Sequence, residues 1–483
     1  MSRGDRLVPS VDRSLKVGLG PDGQLPRLCA VLHLYDTATR EIRELALREP
    51  GKVSMYVCGP TVYGPAHIGH GRATLAWDIL RRYLEWTGLE VRHVSNITDI
   101  DDNIINRAER EGRPWQDITT KCEAMWWKAM DGMGIQRPTD IPHATEYVDE
   151  MVAMIGSLID GQTAYVTTDG VYLSVRAVPD YGLLAHQSLD DMLAGGGDRD
   201  VFGADEKHYP ADFALWKFTK PGEPSWPSPW GEGRPGWHSE CVVMSLQLLG
   251  EGFDLHTGGQ DLRFPHHENE RAQAVAMGKT FANHWTHNGF VIDGEGEKMS
   301  KSLGNVFNLL DLIEQYDPRA YRMLLLQSHY RSPVSVSIAS LESSVKTLAG
   351  LDAFAARTAA VVAAATSAAP VIDQFRTAMD NDLDTPAAMA LMFDTVRQAN
   401  ATLDAGDDMA AGSLAAAAQE IARAVGLVFK SAGEIPAEAA AKAQALDDAR
   451  VAKDFAAADA LRTELQADGW TVETTKAGTT IRR

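Results

Sequence analysis

Met55-Tyr56-Val57-Cys58-Gly59-Pro60-Thr61-Val62-Tyr63, continued by His67-Ile68-Gly69-His70-Gly71-Arg72-Ala73-Thr74-Leu75-Ala76-Trp77-Asp78-Ile79-Leu80, is the stretch from which the fold is read. A β-rich run breaks at glycine and proline, and a helical pattern follows. Strand, loop and helix N-terminus in that order form the opening unit of a parallel α/β sheet. The start of such a helix presents unpaired N–H groups and the positive end of its dipole, which favours phosphate. Gly69 removes the Cβ that would block a close-packed adenine or ribose. His67 and His70, three residues apart, can face the same side.

More than two hundred residues later comes Lys298-Met299-Ser300-Lys301-Ser302, set between Gly294, Gly296 and Gly304. Its two ammoniums ride on a loop free to close over a nucleotide and to stabilise charge on departing pyrophosphate. Taken singly, the histidines read as polar loop residues and the lysines as a solvated charge run. Taken jointly and in this order, two imidazoles and two ammoniums suit an ATP triphosphate.

A chain of 483 residues exceeds a single core, so two to four domains are expected. No uninterrupted apolar run reaches the roughly 18 residues of a membrane span, and the start lacks a signal-peptide core, so a cytoplasmic protein with no membrane partner is expected. Cys29, Cys58, Cys122 and Cys241 are scattered and contain no CxxC pair, so reduced thiols are expected. A net charge of −20 argues against a broad nonspecific grip on nucleic acid. It does not exclude RNA recognised through local patches and stacking. Even residues 431–483 carry seven Lys/Arg against nine Asp/Glu, so composition alone gives no sign of an RNA substrate.

Along the chain, residues 1–27 read as an extension. Residues 28–135 and 236–305 read as a split parallel-sheet domain, with strands at Val53–Cys58 and Val91–Ser95 and a helix over Asp101–Glu111. Residues 136–235 are a Gly/Pro-rich insertion, after which Cys241–Leu249 restores a helix and Phe253–His256 resumes the sheet. Residues 306–345 are helical, and 346–430 form an Ala-rich bundle broken at Thr385-Pro386, where Thr385 can cap and Pro386 can occupy a first turn. Residues 431–483 read as a small terminal domain, one helix over Ala449–Leu465 followed by a hairpin around Gly478.

At this point the chain resembles the class I aminoacyl-tRNA synthetases, whose Rossmann-type catalytic domain carries both signatures in this order. The finer resemblance is to the cysteinyl-tRNA synthetases. It rests on Met55–Gly59, Asn96-Ile97-Thr98-Asp99-Ile100-Asp101-Asp102, Pro235-Gly236-Trp237-His238-Ser239-Glu240-Cys241, Phe264-Pro265-His266-His267-Glu268-Asn269-Glu270 and the lysine motif, and runs from about Leu28 to Arg483. The resemblance implies an α/β Rossmann-type catalytic domain with an insertion, then a helical bundle and a small C-terminal domain that bind tRNA(Cys). Phe375–Pro386 is similar to the family's anticodon-stem-binding bundle. Residues 306–345 would contact the stem.

His266 and Glu270, four apart on an expected helix, can share one face toward an ion, though such a pair is more often solvated or hydrogen-bonded. The resemblance implies Zn²⁺ held by Cys58, Cys241, His266 and Glu270. Zinc grasps a thiolate far better than a hydroxyl, and rejecting serine ten-thousand-fold takes about 5.5 kcal/mol, more than a one-atom size difference supplies. The resemblance further implies His67, His70, Lys298 and Lys301 as catalytic groups and ATP ligands. Gly69 and Asp261 would lie beside the nucleotide, Mg²⁺ on the phosphates, and Cys58, Gly59, Thr61, Trp237 and His238 around L-cysteine. His238, His256, His267 and His287 read equally as supports for the ligands or as ordinary packed histidines; Trp237 reads as a cover for the substrate or as core.

The expected activity is formation of cysteinyl-adenylate and transfer to tRNA(Cys), by a monomer. The nearest alternative is the mycothiol-pathway ligase, which resembles the same catalytic half, joins cysteine to an amino-sugar inositol, and lacks the full tail. A catalytically silent RNA-binding protein is the alternative from another class, and the intact histidine and lysine motifs argue against it.

Overall fold

The computed structural model describes residues 31–194, 206–292, 308–430, 437–475 and 478–482. The expected extension over 1–27 and the lysine motif lie outside these residues.

Among the described residues the central sheet has four parallel strands, in the spatial order Trp285–Asn288, Leu255–Gly259, Lys52–Val57, Glu90–Ser95. The chain starts in the middle with Lys52–Val57 and steps to Glu90–Ser95 on one side. It later returns to Leu255–Gly259 on the other, so the order reverses beside Lys52–Val57. Loops leaving the carboxyl ends of the strands on either side of such a reversal open a crevice, the usual ligand position in this class of sheet.

Alternation along Lys52–Val57 divides the molecule. Val53, Met55 and Val57 pack with the helix Ile68–Trp86, with Arg319–Leu326 and with the C-terminal bundle in one apolar cluster. Tyr56 faces the opposite cluster, made with Trp237–Leu249, Glu268–Ala276 and the insertion.

The Gly/Pro-rich insertion has secondary structure of its own. It holds a helix, Val148–Asp160, and a four-stranded antiparallel sheet of Ala164–Val166, Gly170–Leu173, Phe213–Phe218 and Gly233–Pro235. The last of these strands runs directly into the helix Trp237–Leu249, which carries Cys241.

Two helix boundaries differ from the sequence reading. At Thr385-Pro386 the cap is Asp384, whose side chain accepts from Ala387 N, and Thr385 is already helical; Pro386 does sit in the first turn. The terminal helix is two helices, Ala437–Val451 and Phe455–Ala467, separated where Lys453 takes a φ of +59° and capped anew by Asp454. The hairpin Thr471–Thr475/Gly478–Arg482 closes over them on Leu446, Leu465, Trp470 and Ile481. Among the described residues no helix is long and apolar enough to cross a membrane.

Candidate active site and metal centre

Cys58 leaves the carboxyl end of Lys52–Val57, and Gly59 follows against the end of the neighbouring strand. A Cβ on Gly59 would lie 1.6 Å from the main-chain oxygen of Asn96. Glycine is therefore what lets the two strand ends close at this point. Gly59 N donates to Asn96 Oδ1 at 2.9 Å, and Tyr56 Oη reaches the same oxygen at 3.2 Å. Thr61 continues the contact as a parallel bridge to Thr98.

Cys241 comes from the second turn of Trp237–Leu249. His266 lies in the wide turn Arg263–His267, where Phe264 departs from helical geometry, and Glu270 in the first turn of Glu268–Ala276. The expected helical i, i+4 relation thus spans a junction between two helical segments, yet both side chains are buried and meet, His266 Nε2 lying 2.8 Å from Glu270 Oε1. Cys58 Sγ is 3.8 Å from Cys241 Sγ and 3.3 Å from Glu270 Oε1, and Cys241 Sγ is 3.6 Å from His266 Nε2. A tetrahedron with bonds of about 2.0–2.3 Å has edges of about 3.3–3.8 Å, so three of these separations already match a zinc coordination shell.

The remaining atoms of these side chains are held from behind. His256 Nε2 binds Glu270 Oε2 at 2.6 Å, leaving Oε1 toward the thiols, and His238 Nδ1 meets His266 Nδ1 at 2.9 Å, leaving Nε2 toward Cys241. A second metal-compatible group shares Cys58 and Glu270 but adds His256 and His267. The set with two sulfurs is the softer and suits zinc better, and in it His256 serves as the support that orients Glu270.

The electrostatics agree with a buried ion-binding set. Burial favours a neutral Glu270, but His266 and His256 outweigh it and hold the carboxyl well below its ordinary range. Burial likewise opposes charge on His266, yet Glu270 and Cys241 raise it to about 10. The Cys58 thiol is pushed well up by burial and by its contact with Cys241, whereas Cys241 is lowered to about 7 despite its burial, chiefly through Cys58 and His266. The cluster thus gathers a carboxyl held low, a lowered thiol and a raised imidazole in one buried place. A divalent cation would suit such a set, since its ligands bind as thiolate, carboxylate and neutral imidazole.

Of the four other histidines, His238 and His256 support the cluster as described. His267 Nδ1 meets His287 Nε2 at 2.8 Å, and His287 Nδ1 meets Thr37 Oγ1 at 2.7 Å. Burial lowers His287 to about 3, so this pair is neutral and works by hydrogen bonding. Trp237 is 37% exposed and stacks on His266 with 3.9 Å between ring centroids. It is therefore a rim residue rather than core. Asp261 is exposed beyond Gly259, at the end of the adjacent strand.

His67 caps the helix Ile68–Trp86 in an unusual reciprocal way. His70 N donates to His67 Nδ1 at 3.4 Å and His67 N donates to His70 Nδ1 at 3.2 Å, with the rings stacked at 3.8 Å. Both Nδ1 atoms accept, so each neutral ring carries its proton on Nε2, a donor suited to a phosphate oxygen. A Cβ on Gly69 would come within 3.0 Å of the His67 ring, so the space left by this glycine is used by the histidine itself. Lys298 and Lys301 lie outside the described residues. The chain leaves at Val291-Ile292, paired with Val334-Ser335, and returns at Asn308 in a bridge to His67.

The sequence reading gave Asn96 no role. Besides holding Gly59 and Tyr56, it lies with Oδ1 at 3.7 Å from Cys241 Sγ and donates to Thr98 Oγ1, which in turn donates to the buried Glu240 at 2.6 Å. An amide at the carboxyl end of a central strand was the available signal.

The profile of the tRNA synthetases class I (C) catalytic domain matches residues 44–346, and that of the DALR domain matches residues 374–435. The Cysteine--tRNA ligase of Halorhodospira halophila is 43% identical over 465 residues, covering 94% of this chain and 100% of the relative. That of Geobacter sulfurreducens is 42% identical over 481 residues, covering 93% and 99%. The chain belongs to the cysteine–tRNA ligase family. Among solved structures, Mycobacterium tuberculosis methionyl-tRNA synthetase in complex with methionyl-adenylate superposes with a TM-score of 0.60 at 15% identity, over 77% of this chain and 90% of that one, a likeness of fold. The family assignment supports the synthetase reading over the mycothiol-pathway alternative, and the enzyme is a class I ligase.

Proposed function

We propose that this cytoplasmic enzyme activates L-cysteine with ATP and transfers it to the terminal ribose of tRNA(Cys). The observation that carries the reading is the convergence of Cys58, Cys241, His266 and Glu270 at the carboxyl ends of the strands, beside the helix capped by His67 and His70. Zinc held by those four residues would bind the substrate sulfur as thiolate and so distinguish cysteine from serine. Trp237, on the rim of the cluster, covers the amino acid, with Gly59, Thr61 and His238 around it.

In the first step a carboxylate oxygen of cysteine attacks the α-phosphorus, the bond to the bridging β-oxygen breaks, and pyrophosphate leaves. His67 and His70 donate Nε2–H to the phosphates at the positive end of their helix, Asp261 accepts from the ribose, and Lys298 and Lys301 balance the charge gathering on pyrophosphate, a balance to which Mg²⁺ on the phosphates would add when bound. In the second step a terminal ribose hydroxyl attacks the acyl carbon and AMP leaves. No side-chain nucleophile takes part; the residues act by position and charge.

The test is cysteine-dependent exchange of pyrophosphate into ATP, followed by a side-by-side acceptor assay. Charging of a tRNA(Cys) transcript is expected, whereas acceptance of the amino-sugar instead would overturn the reading. Lys301→Ala is expected to slow adenylate formation by about 10²–10³-fold, the usual cost of one transition-state charge contact. Its dissociation constant for cysteine should move less than about threefold, and equal effects on both would contradict a role on pyrophosphate.

A further inference from the structure

The helices Ala369–Asp380 and Thr385–Asp404 join through Asn381-Asp382-Leu383-Asp384, where Asp382 and Leu383 have φ of +57° and +52° and are each 2% exposed. Two consecutive residues bearing a Cβ persist in this region only where their surroundings over-determine them. The Asp382 carboxylate shows what does so. Oδ1 accepts from Tyr35 N at 2.8 Å and from Tyr330 Oη at 2.7 Å, and Oδ2 accepts from both Nε and Nη2 of Arg331, the former at 2.8 Å. Asp382 N donates to His33 O at 2.9 Å. Phe375–Pro386, the stretch that resembles a stem-binding bundle, thus turns its central carboxylate inward, away from any RNA.

The segment that meets Asp382 also touches the strand and the helix on which the candidate site is built. Tyr330 Oη lies 3.1 Å from Thr286 Oγ1, on the strand that carries His287. Tyr330 O accepts from Arg72 Nη2 at 2.8 Å, two residues beyond His70, and from Gly289 N at 2.9 Å. A Cβ on Gly289 would fall 2.5 Å from the main-chain oxygens of Arg331 and Ser332, so the strand end and the segment are in direct backbone contact. One segment, 329–332, therefore joins the bundle, the helix of the histidine motif and the edge strand of the sheet.

We propose that Asp382, with Tyr330 and Arg331, is a positioning device that fixes the bundle relative to the catalytic sheet, and that it governs tRNA charging rather than cysteine activation. The inference rests on the proposed function. ATP and cysteine lie wholly within the catalytic half, whereas a tRNA held by the bundle must deliver its terminal ribose to the adenylate across this junction. An error of about 1 Å in placing a reacting group costs on the order of a hundredfold, and a buried, fully bonded carboxylate is the means of preventing such an error.

The experiment compares Asp382→Asn and Tyr330→Phe, singly and together, in cysteine-dependent pyrophosphate exchange and in charging of a tRNA(Cys) transcript. Exchange is expected to stay within about twofold of the parent, while kcat/KM for tRNA falls about tenfold or more in Asp382→Asn and about threefold in Tyr330→Phe. The double variant should charge tRNA less well than either single variant while exchange stays within about twofold, because the amide in Asp382→Asn can keep its oxygen toward Tyr330 and lose only Arg331, a bond distinct from the one Tyr330→Phe removes. Charging within twofold of the parent in Asp382→Asn, or exchange and charging falling by the same factor, would overturn the inference. Should Asp382→Asn not fold, Tyr330→Phe removes only a hydroxyl, and an unchanged ratio of charging to exchange in it would have the same force. A parent with no cysteine-dependent exchange would refute the functional reading itself, an outcome distinct from all of these.

Discussion

Cys241→Ala is expected to abolish cysteine activation, lowering kcat/KM for cysteine-dependent exchange by at least about a thousandfold, or about 4 kcal/mol. Cys241 contributes one of two sulfurs in a largely buried set, and the alternative group with His256 and His267 would leave the ion a single sulfur. On the ligand side of the cluster it faces Cys58, His266 and Asn96. Metal analysis should find one zinc per parent chain and less than about a tenth of that in the variant, since losing one ligand from a four-ligand site removes most of its affinity. Cys241→Ala should also lose the preference for cysteine over serine, because only a metal–sulfur bond distinguishes the two by the required margin. Full exchange activity in a metal-free Cys241→Ala enzyme would refute the sulfur-grasping site.

The second large effect is expected from the smallest change. Gly59→Ala places a methyl group 1.6 Å from Asn96 O, where a normal contact needs roughly twice that distance, and the obstacle is backbone rather than a side chain that could swing aside. The two strand ends must part, breaking the Gly59–Asn96 hydrogen bond and carrying Cys58 away from Cys241. A loss of about 3–5 kcal/mol in denaturant-induced unfolding is expected, at the upper end for single substitutions. Exchange should fall at least about a hundredfold even at temperatures where the variant stays folded. Gly350→Ala provides the control: it lies in the helix Ile338–Val362 with nothing within 4 Å of its added Cβ, and should be neutral or slightly stabilising. Parent-like stability and activity in Gly59→Ala would mean that the strand ends are not closed as described.

How much of this was legible in the sequence depended on how local the cause was. The strands at Val53–Cys58 and Val91–Ser95 and the helix over Asp101–Glu111 were readable because alternation, a glycine break and an aspartate cap act within a few residues; the observed bounds, Lys52–Val57, Glu90–Ser95 and Asp102–Glu111, differ by a residue or so. The strands of the insertion were not legible because glycine and proline mark turns equally well in a loop and between short antiparallel strands. Thr385 and Asp384 are both good caps, and only the backbone decides between them. The break at Lys453 was hidden by helix-favouring alanines on either side. At the site, residue types and resemblance nominated Cys58, Cys241, His266 and Glu270, and the folded chain brings their ligand atoms within 4.8 Å of one another. What the sequence left open was the pairing behind the ligands: His256 and His238 read equally as supports or as packed histidines, and their partners Glu270 and His266, like Gly59 for Asn96, lie 14, 28 and 37 residues away in sequence.

The apolar cluster beneath the sheet has a bearing on how such chains can be divided. Val53, Met55 and Leu255 share it with Tyr83 and Phe375, whose rings meet edge to face at 5.9 Å, and with Met379, Met392 and Ile421 of the bundle. The catalytic sheet and the bundle therefore share one interior on this face: cutting the chain after residue 340 would bare a greasy underside instead of liberating a self-sufficient unit. A protein that retained this sheet but dispensed with the bundle would need polar residues there, so the hydrophilicity of these few buried positions is a signature, readable without coordinates, of whether an adaptor-reading tail must follow.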